Sequence, residues 1–383
     1  MSSLQSNTLE GQIDIKVSHC RNAAPTVKIS SSRPVYAAQV LEGKSASQAL
    51  TAVPLLFNVC AVAQSVAAVS AIESARGTQA ADSLVAARQG RVWVETLREH
   101  FLRLFLDWPN LLKEKIDTSF LPALMQLLSR MDTLLSTQKD NDQTIGLRDE
   151  IASLEILIAD KVLAMPPADW LSQVADYASL IKWANESTTI AASLVQHVAD
   201  NQWQAQARNN IEALPLLDVS ELNAVLAGEH AAGFIIKPRW HDKTYETSAL
   251  TRANAEPLLV NLSAEFGNSV LSRIAARMTE LARIPSLLTR HCLHQRHSTG
   301  LISSNKGIAQ VEAARGRLIH RVVLNADIVT TYQIVAPTEW NFHPQGLIEQ
   351  ALQNLHVTSR DEYLQLAHLT INLIDPCVAY RLH

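Results

Sequence analysis

Two different spacings of apolar residues divide this chain. Residues 12–19 and 26–30 alternate apolar and polar positions, which predicts two half-buried strands. From about residue 36 to residue 226 the apolar positions instead recur at helical spacing, and short breaks such as Trp108-Pro109 separate the runs. The helices predicted in this part cover residues 46–74, 80–105, 119–137, 146–163, 168–184 and 188–213.

The C-terminal third mixes both patterns. Residues 316–323 and 328–335 predict a β-hairpin, because Asn325-Ala326-Asp327 supplies turn residues between two strand-like runs. The other elements predicted here are a short strand at 232–237, a long helix from about 254 to 297, and two short helices at about 345–353 and 359–373. The pattern as a whole predicts a mainly α fold with small β elements.

We expect residues 1–383 to form a single domain, because no internal repeat and no low-complexity linker interrupts the chain. Its parts would be small N-terminal strands at about 12–36, a helical body at about 37–300, and a β-hairpin with a C-terminal tail at about 308–383.

Composition narrows the class of protein. Hydrophobic residues make up 47% of the chain and charged residues 18%, which excludes global disorder. The formal net charge is −4 and no basic cluster is present, so we expect no nucleic-acid partner. The first ten residues lack the features of a secretory or twin-arginine signal, which predicts a cytoplasmic location.

One stretch has the length of a membrane span without the usual composition. No charged residue lies between Lys44 and Glu73. The stretch is rich in alanine rather than leucine, and serine, glutamine, threonine, proline and asparagine interrupt it. We interpret it as a helix of the protein core, and we expect no membrane partner.

The four cysteines are the candidates for chemistry. Cys20, Cys60, Cys292 and Cys377 lie far apart in a chain without a secretory start, so we expect free or metal-bound thiols rather than disulfides. Taken singly, a cysteine on an apolar helix is most often a small buried hydrophobe. Thiolates are, however, soft ligands suited to iron, nickel and zinc.

A histidine-rich segment offers a competing metal site. His291, His294 and His297 recur at every third position around Cys292. Successive positions at this spacing drift around a helix, so the three rings would not converge on one ion. We interpret the segment as a solvated helix end, with metal binding as the alternative, and Cys20 as structural.

Two segments, one early in the helical body and one in the C-terminal tail, resemble the metal-binding motifs of nickel–iron hydrogenase large subunits. Residues 375–383 resemble the family's C-terminal motif Asp-Pro-Cys-x-x-Cys-x-x-His, with Tyr380 in place of the second cysteine. Residues 55–64 are similar to the motif Arg-x-Cys-x-x-Cys-x-x-x-His, in which Phe57 replaces the first cysteine and Gln64 the histidine. Four shorter segments resemble the family in the same order: 245–252, 267–280, 312–316 and 336–341.

This resemblance implies a hydrogenase large-subunit-like fold, reduced in size, and an altered metal site. In the family four cysteines hold nickel, and two of them bridge to an iron that carries two cyanides and one carbon monoxide. With Phe57 and Tyr380 in place, half of the sulfur ligands are lost, so we expect no nickel. Cys60 and Cys377 are then the expected ligands of the iron unit. By position, Cys60 matches a bridging cysteine and Cys377 a terminal nickel ligand, which implies a somewhat displaced iron.

The resemblance also assigns a pocket for the diatomic ligands. Arg315 and Thr338 match residues that donate hydrogen bonds to the cyanides, and Pro337 would hold the Thr338 backbone in place. The alternative for Arg315 is an ion pair that braces the hairpin, and Thr338 is also an ordinary turn residue. Ala38 occupies the place of the family's proton-relaying glutamate and cannot carry a proton.

We therefore predict a non-enzymatic protein of hydrogenase maturation, similar to the large-subunit-like accessory proteins of the HupK/HoxV type. It would hold the iron dicyanide-carbonyl unit as transient cargo, and its partners would be the apo-large subunit of a nickel–iron hydrogenase and the maturation proteins. In the family an extension that follows the terminal histidine is removed after nickel insertion, so the end at His383 implies that no such step operates here. The alternatives are a diverged hydrogenase with residual oxidoreductase activity and a metal-free mimic that binds the large subunit's chaperones.

Overall fold

The computed structural model describes residues 11–20, 23–34, 36–115, 117–136, 141–291, 300–303 and 305–383. Most of the chain is helical, as the apolar pattern predicts. The helices are α1 (Ala46–Leu56), α2 (Ala61–Ala75), α3 (Asp82–Leu102), α4 (Trp108–Leu112), α5 (Leu121–Ser136), α6 (Asn141–Ile158), α7 (Pro167–Gln173), α8 (Tyr177–Glu186), α9 (Ile190–Asp200), α10 (Val219–Ala227), α11 (Ala231–Ile236), α12 (Ala249–Ala253), α13 (Pro257–Phe266), α14 (Val270–His291), α15 (Pro337–Asn341), α16 (Leu347–Gln353) and α17 (Arg360–Ile374).

Two small sheets accompany these helices. The strands are β1 (Gln12–Cys20), β2 (Ala23–Ser31), β3 (Gly300–Ser303), β4 (Lys306–Ala313), β5 (Gly316–Asn325), β6 (Ile328–Val335) and β7 (Ala379–Leu382). One sheet has the order β2-β1-β7 and the other the order β3-β4-β5-β6. The predicted hairpin is confirmed as β5 and β6, whose turn places Ala326 and Asp327 at positive φ. The N-terminal strands are likewise confirmed as the antiparallel pair β1 and β2.

The helix predicted over residues 46–74 is broken, and the break creates the candidate site. α1 begins at the side-chain cap of Ser45 and contains Pro54, which lacks an N–H for the helical ladder. The chain then leaves helical geometry at Phe57 and makes a short 3₁₀ turn, Asn58–Cys60, before α2 begins. The single-helix prediction is wrong here, because apolar spacing continues through a turn that changes the direction of the backbone.

Four further predictions are wrong. The helix expected over 168–184 is divided into α7 and α8, because Asp176 caps the start of a new helix. The helix expected over 188–213 ends at Asp200, and the long helix from about 254 is divided at Gly267, whose φ of 71° suits a helix stop. Residues 232–237 form α11 rather than a strand. β3 and β4 were not predicted at all.

α2 is the helix that connects the site to the core. It packs on β4 and β5, and the approach is close: a Cβ on Gly307 of β4 would lie 1.9 Å from the Ala71 carbonyl oxygen. Within the described residues, one helical stretch, Asn58–Ala75, is long and apolar enough to cross a membrane, with mean hydropathy 1.2. Half of this stretch is buried inside the protein, as the core-helix interpretation expects.

Candidate metal centre

The fold brings Cys60 and Cys377 together from opposite ends of the sequence. Cys60 is the N-cap residue of α2, and Cys377 lies just beyond Asp375, the residue that ends α17. The two thiols hydrogen-bond to each other, both are half-buried, and neither forms a disulfide. Two soft donor atoms therefore face one position in space.

The hydrogen bond between these sulfurs shifts their pKa values in opposite directions. It raises the pKa of the Cys60 thiol well above its ordinary value, with burial acting in the same direction. The same hydrogen bond lowers the pKa of Cys377 to about 6, helped by Arg315 and Arg33 and opposed by burial. The Cys377 thiol therefore releases its proton more readily than the Cys60 thiol, and thiolates are the form that binds a soft metal ion.

A cavity of about 80 Å³ lies against both sulfurs. Its wall includes Phe57, Arg33 and Pro337. A buried water needs about 10–15 Å³ of such space, so the cavity has room for several small groups beside the thiols.

Arg315 does not line the cavity, but it is the cation that lowers the pKa of the Cys377 thiol most. It lies in the turn between β4 and β5, where its Nη2 donates to Glu99 Oε2 at 2.9 Å and its Nε lies 3.2 Å from Asp375 Oδ1. Although burial opposes it, the pKa of Arg315 is raised by Asp375, Cys377 and Glu99. Its Nη1 is buried and has no hydrogen-bond partner among the described residues. The ion pairs of the alternative interpretation exist, but they leave both N–H groups of Nη1 without an acceptor among the described residues.

Thr338 acts on Cys377 in this structure. The Cys377 N–H donates to Thr338 Oγ1 at 3.2 Å, and a hydrogen bond of Thr338 also helps to lower the pKa of the Cys377 thiol. Pro337 is the first residue of α15, where its fixed φ suits the start of a helix. Thr338 and Pro337 therefore position the C-terminal thiol, and a role of either toward a bound ligand stays a prediction.

Asp375 anchors the tail through three arginines. It ends α17 at a φ of 63° and is buried. Arg103 lies 2.8 Å from its Oδ1, with Arg315 at 3.2 Å, and Arg277 of α14 lies 3.8 Å from its Oδ2. Burial alone would raise the pKa of Asp375, but these three guanidinium groups lower it. Asp375 therefore joins the C-terminal segment to α3's end, to α14 and to the β4–β5 turn.

The start of α2 is fixed by a carboxylate from α3. Glu95 accepts hydrogen bonds from the Val62 N–H at 2.9 Å and the Ala63 N–H at 3.0 Å. These are two of the N–H groups that lack partners at every helix start. Burial raises the pKa of Glu95, whereas the two backbone N–H donors oppose the rise. Glu95 thereby holds the turn that carries Cys60.

A comparison with known proteins identifies the family of this chain. Residues 183–383, just over half of the chain, match the sequence model of the family described as nickel-dependent hydrogenase. The chain belongs to the nickel-dependent hydrogenase family. The predicted family is thereby confirmed; the matched residues include the motif at 375–383 but not the segment at 55–64.

Two relatives and one solved structure show that the similarity covers most of the chain. The hydrogenase expression/formation protein HoxV of Cupriavidus necator is 29% identical over 372 residues, covering 92% of this chain and 91% of the relative. The hydrogenase expression/formation protein HupK of Azotobacter vinelandii is 29% identical over 344 residues, covering 89% of each. The reduced, active Ni-Fe-Se hydrogenase of Desulfomicrobium baculatum has a TM-score of 0.65 at 14% identity, covering 94% of this chain and 95% of that one. The mainly α, large-subunit-like fold is confirmed.

Two side chains distinguish this chain from the four-cysteine motif of nickel–iron hydrogenases. Phe57 ends α1 and lines the cavity, where an apolar ring offers no ligand atom. Tyr380 lies on β7, and its hydroxyl pairs with His368 Nδ1 at 3.0 Å on α17. Neither position supplies a third sulfur to the cavity.

The described residues supply no further cluster of metal ligands. Among the described parts of the chain, no three His, Cys, Asp or Glu side chains cluster in a way that could hold a metal ion. Cys292, His294 and His297 lie outside the described residues, so that alternative stays open. Cys20 lies at the end of β1.

Sequence reasoning missed four charged residues that shape the site: Arg33, Glu95, Glu99 and Asp375. Asp375 lies inside the Asp-Pro-Cys motif, which by itself indicates no role for the carboxylate. Glu95 and Glu99 lie one turn apart on α3 and are both buried, so acidic residues on the apolar face of a helix were the available signal. Arg33 follows β2 without any pattern, and its ion pair with Glu339, at 2.7 Å, is decided by the fold.

Proposed function

We propose that this protein is a non-enzymatic scaffold of hydrogenase maturation in the cytoplasm. It holds an iron unit with two cyanides and one carbon monoxide between Cys60 and Cys377, and passes this cargo to the apo-large subunit of a nickel–iron hydrogenase. The observation that carries the proposal is the pair of thiols that line a small cavity, together with a buried Arg315 that acts on Cys377 and whose Nη1 has no hydrogen-bond partner among the described residues.

The chemistry of the donors fits such a cargo. Two thiolates suit low-spin iron, and the diatomic ligands fill its other positions, so no further protein ligand is needed. Ferrous iron with two thiolates and two cyanides is a doubly negative complex. Arg315 and Arg33 lower the pKa of Cys377 and so place positive charge at the same point. The unused Nη1 of Arg315 is a suitable donor to a cyanide nitrogen.

Three side chains argue against hydrogen turnover. Phe57 and Tyr380 stand where a nickel site would need sulfur, and Ala38 is a buried residue without a proton to relay. The relatives HoxV and HupK carry the name hydrogenase expression/formation protein, which supports a maturation role and partners in that machinery. A diverged hydrogenase and a metal-free mimic are the rival functions.

Infrared spectroscopy tests the cargo directly. Protein purified from cells that express the full maturation set should show cyanide and carbonyl stretching bands. Metal analysis of the same sample should find roughly one iron per chain without stoichiometric nickel, because two thiolates cannot supply a nickel site and an iron site together. The matched control is the same protein from cells that lack the enzymes of cyanide synthesis, which should show neither band.

The rival functions give different results in the same experiment. Absence of both bands from protein expressed with the complete set contradicts the scaffold and favours the metal-free mimic. One nickel atom per chain together with hydrogen turnover would also contradict the scaffold, and would show that the protein is an enzyme.

The strand β7 connects the end of the chain to the N-terminal sheet. It pairs in parallel with β1, in the register Ile13↔Tyr380 and Ile15↔Leu382. Beyond it, the Val17 N–H donates to the His383 carbonyl at 2.9 Å. Leu382 is half-buried and His383 is exposed, so backbone pairing rather than deep burial holds this segment.

Deletion of Tyr380 to His383 should therefore cost most of the bound iron unit, although both thiols remain. The loss of the β1–β7 ladder frees the backbone just after Cys377, and each lost hydrogen bond removes about 1 kcal/mol. The readout is band intensity per chain, with Arg381→Ala as the control, since this exposed side chain can be removed without breaking the ladder. Undiminished bands in the deletion variant would mean that Asp375 and Thr338 position Cys377 without the strand.

A further inference from the structure

A buried row of polar side chains leads from the four-stranded sheet to Cys60. Tyr332 of β6 pairs with His320 Nδ1 of β5 at 2.9 Å, and His320 Nε2 pairs with Gln64 Oε1 at 2.8 Å. Gln64 of α2 then donates from Nε2 to Cys60 Sγ at 3.6 Å. Tyr332, His320 and Gln64 are each at most 4% exposed.

Each hydrogen bond in this row is donated in the direction from Tyr332 toward Cys60. Burial lowers the pKa of His320 to about 3, so its ring is neutral and has one donor and one acceptor. Gln64 Oε1 can only accept, so His320 Nε2 donates and Nδ1 accepts from the Tyr332 hydroxyl. The NH₂ end of the Gln64 side chain, Nε2, therefore faces the Cys60 sulfur.

The opposite orientation of Gln64 leaves a hydrogen without an acceptor. If the amide nitrogen faced His320, the ring would have to donate from Nδ1 to Tyr332. The Tyr332 hydroxyl hydrogen would then need another acceptor, and no other partner of this hydroxyl is found in the part of the chain that the structure describes. A buried hydroxyl hydrogen without a partner costs about 1–3 kcal/mol. The sheet therefore determines which end of Gln64 meets the thiol.

We propose that His320 and Tyr332 are positioning residues of the thiolate site, which hold the Gln64 amide as a hydrogen-bond donor to the Cys60 sulfur and so tune the electron density that this sulfur gives to bound iron. The second half of this inference rests on the proposed function, because it needs the iron unit. Groups beyond the ligands commonly orient them and adjust the metal in this way.

The first arm of the test uses protein free of cargo. Nitrogen-15 NMR of labelled histidine should show His320 as the neutral tautomer protonated at Nε2, assigned by its loss in His320→Gln. Tyr332→Phe removes the donor to Nδ1 and should shift the Nδ1 resonance. A ring protonated at Nδ1 in the parent protein would overturn the assigned direction.

The second arm uses protein loaded with the iron unit. Gln64→Leu should move the carbonyl band to lower wavenumber, because a thiolate that loses a donor passes more electron density through iron to the carbonyl. Tyr332→Phe should shift it less in the same direction. The matched control is Tyr363→Phe, which removes a buried hydroxyl that donates to the Leu352 carbonyl at 3.0 Å, away from the cavity. Its band should not move.

The outcomes separate this inference from the proposed function. Bands that are present but unmoved in both Gln64→Leu and Tyr332→Phe overturn the positioning role and leave the scaffold intact. Absence of bands from the parent protein overturns the scaffold and the tuning of iron with it. The histidine tautomer still decides the orientation of Gln64 in that case.

Discussion

Cys60→Ser and Cys377→Ser should each abolish binding of the iron unit and leave the fold intact. Serine is a poor ligand for soft low-spin iron, and either change leaves one thiol to hold a metal that needs both. Both thiols line the cavity and the described residues of its wall contain no other sulfur, so neither thiol has a substitute there. Infrared band intensity and iron content per chain measure the loss.

Cys20→Ser and Cys292→Ser are the matched controls and should keep nearly normal cargo. Circular dichroism must accompany every variant, because a hydroxyl placed at a buried position without a partner can destabilise the protein. Equal loss in all four variants, or no loss in any, would contradict the assignment of Cys60 and Cys377 as the ligands.

Asp375→Ala should lower the free energy of unfolding by about 3–5 kcal/mol, because it leaves three guanidinium groups near one another without their shared carboxylate. Arg277 is the most sensitive of the three: burial lowers its pKa to about 10 even with Asp375 present. Denaturant unfolding of the cargo-free proteins measures the change. Cargo binding should fall as well, because the residue two positions later is Cys377.

The control for this variant is Asp327→Ala. Asp327 also forms an ion pair, with Arg76 at 2.6 Å, but both side chains are well exposed. Solvent screens such a pair, so its loss should cost less than about 1 kcal/mol. Similar losses of unfolding free energy in Asp327→Ala and Asp375→Ala would show that burial of the ion pairs around Asp375 adds nothing to stability.

The effect of Asp375 should also depend on pH. The pKa of Asp375 is lowered in the folded protein, so its contribution is complete above the unfolded value, about 3.9. It is lost as the pH falls through the lower folded-state value. The difference in stability between the parent protein and Asp375→Ala should therefore shrink toward strongly acidic pH.

Local apolar spacing predicted most of the regular structure. The hairpin of β5 and β6, the β1–β2 pair and the short helices α16 and α17 all have strong local patterns, because each buries one face over a few residues. Errors occurred where a pattern continues across a change of backbone direction. The turn from Phe57 to Cys60 is the clearest case, since apolar residues keep the same helical spacing on both sides of it.

The sequence by itself determined which chemistry is available. It contains the Asp-Pro-Cys motif at Cys377, a single thiol at Cys60, and apolar or phenolic side chains at Phe57 and Tyr380, and residue identity alone decides how many soft ligands exist. It also determined the family, because the order of the short motifs survives along the chain.

Only the tertiary structure decided how these groups meet. The Asp375 cluster, the hold of Glu95 on α2 and the row from Tyr332 to Cys60 join residues far apart in sequence. Hydrogen bonds and ion pairs act over a few ångströms, and sequence periodicity reports the face of each helix or strand but not its neighbour. The arrangement around the thiols therefore follows from how α2, α3, α14 and the sheets pack.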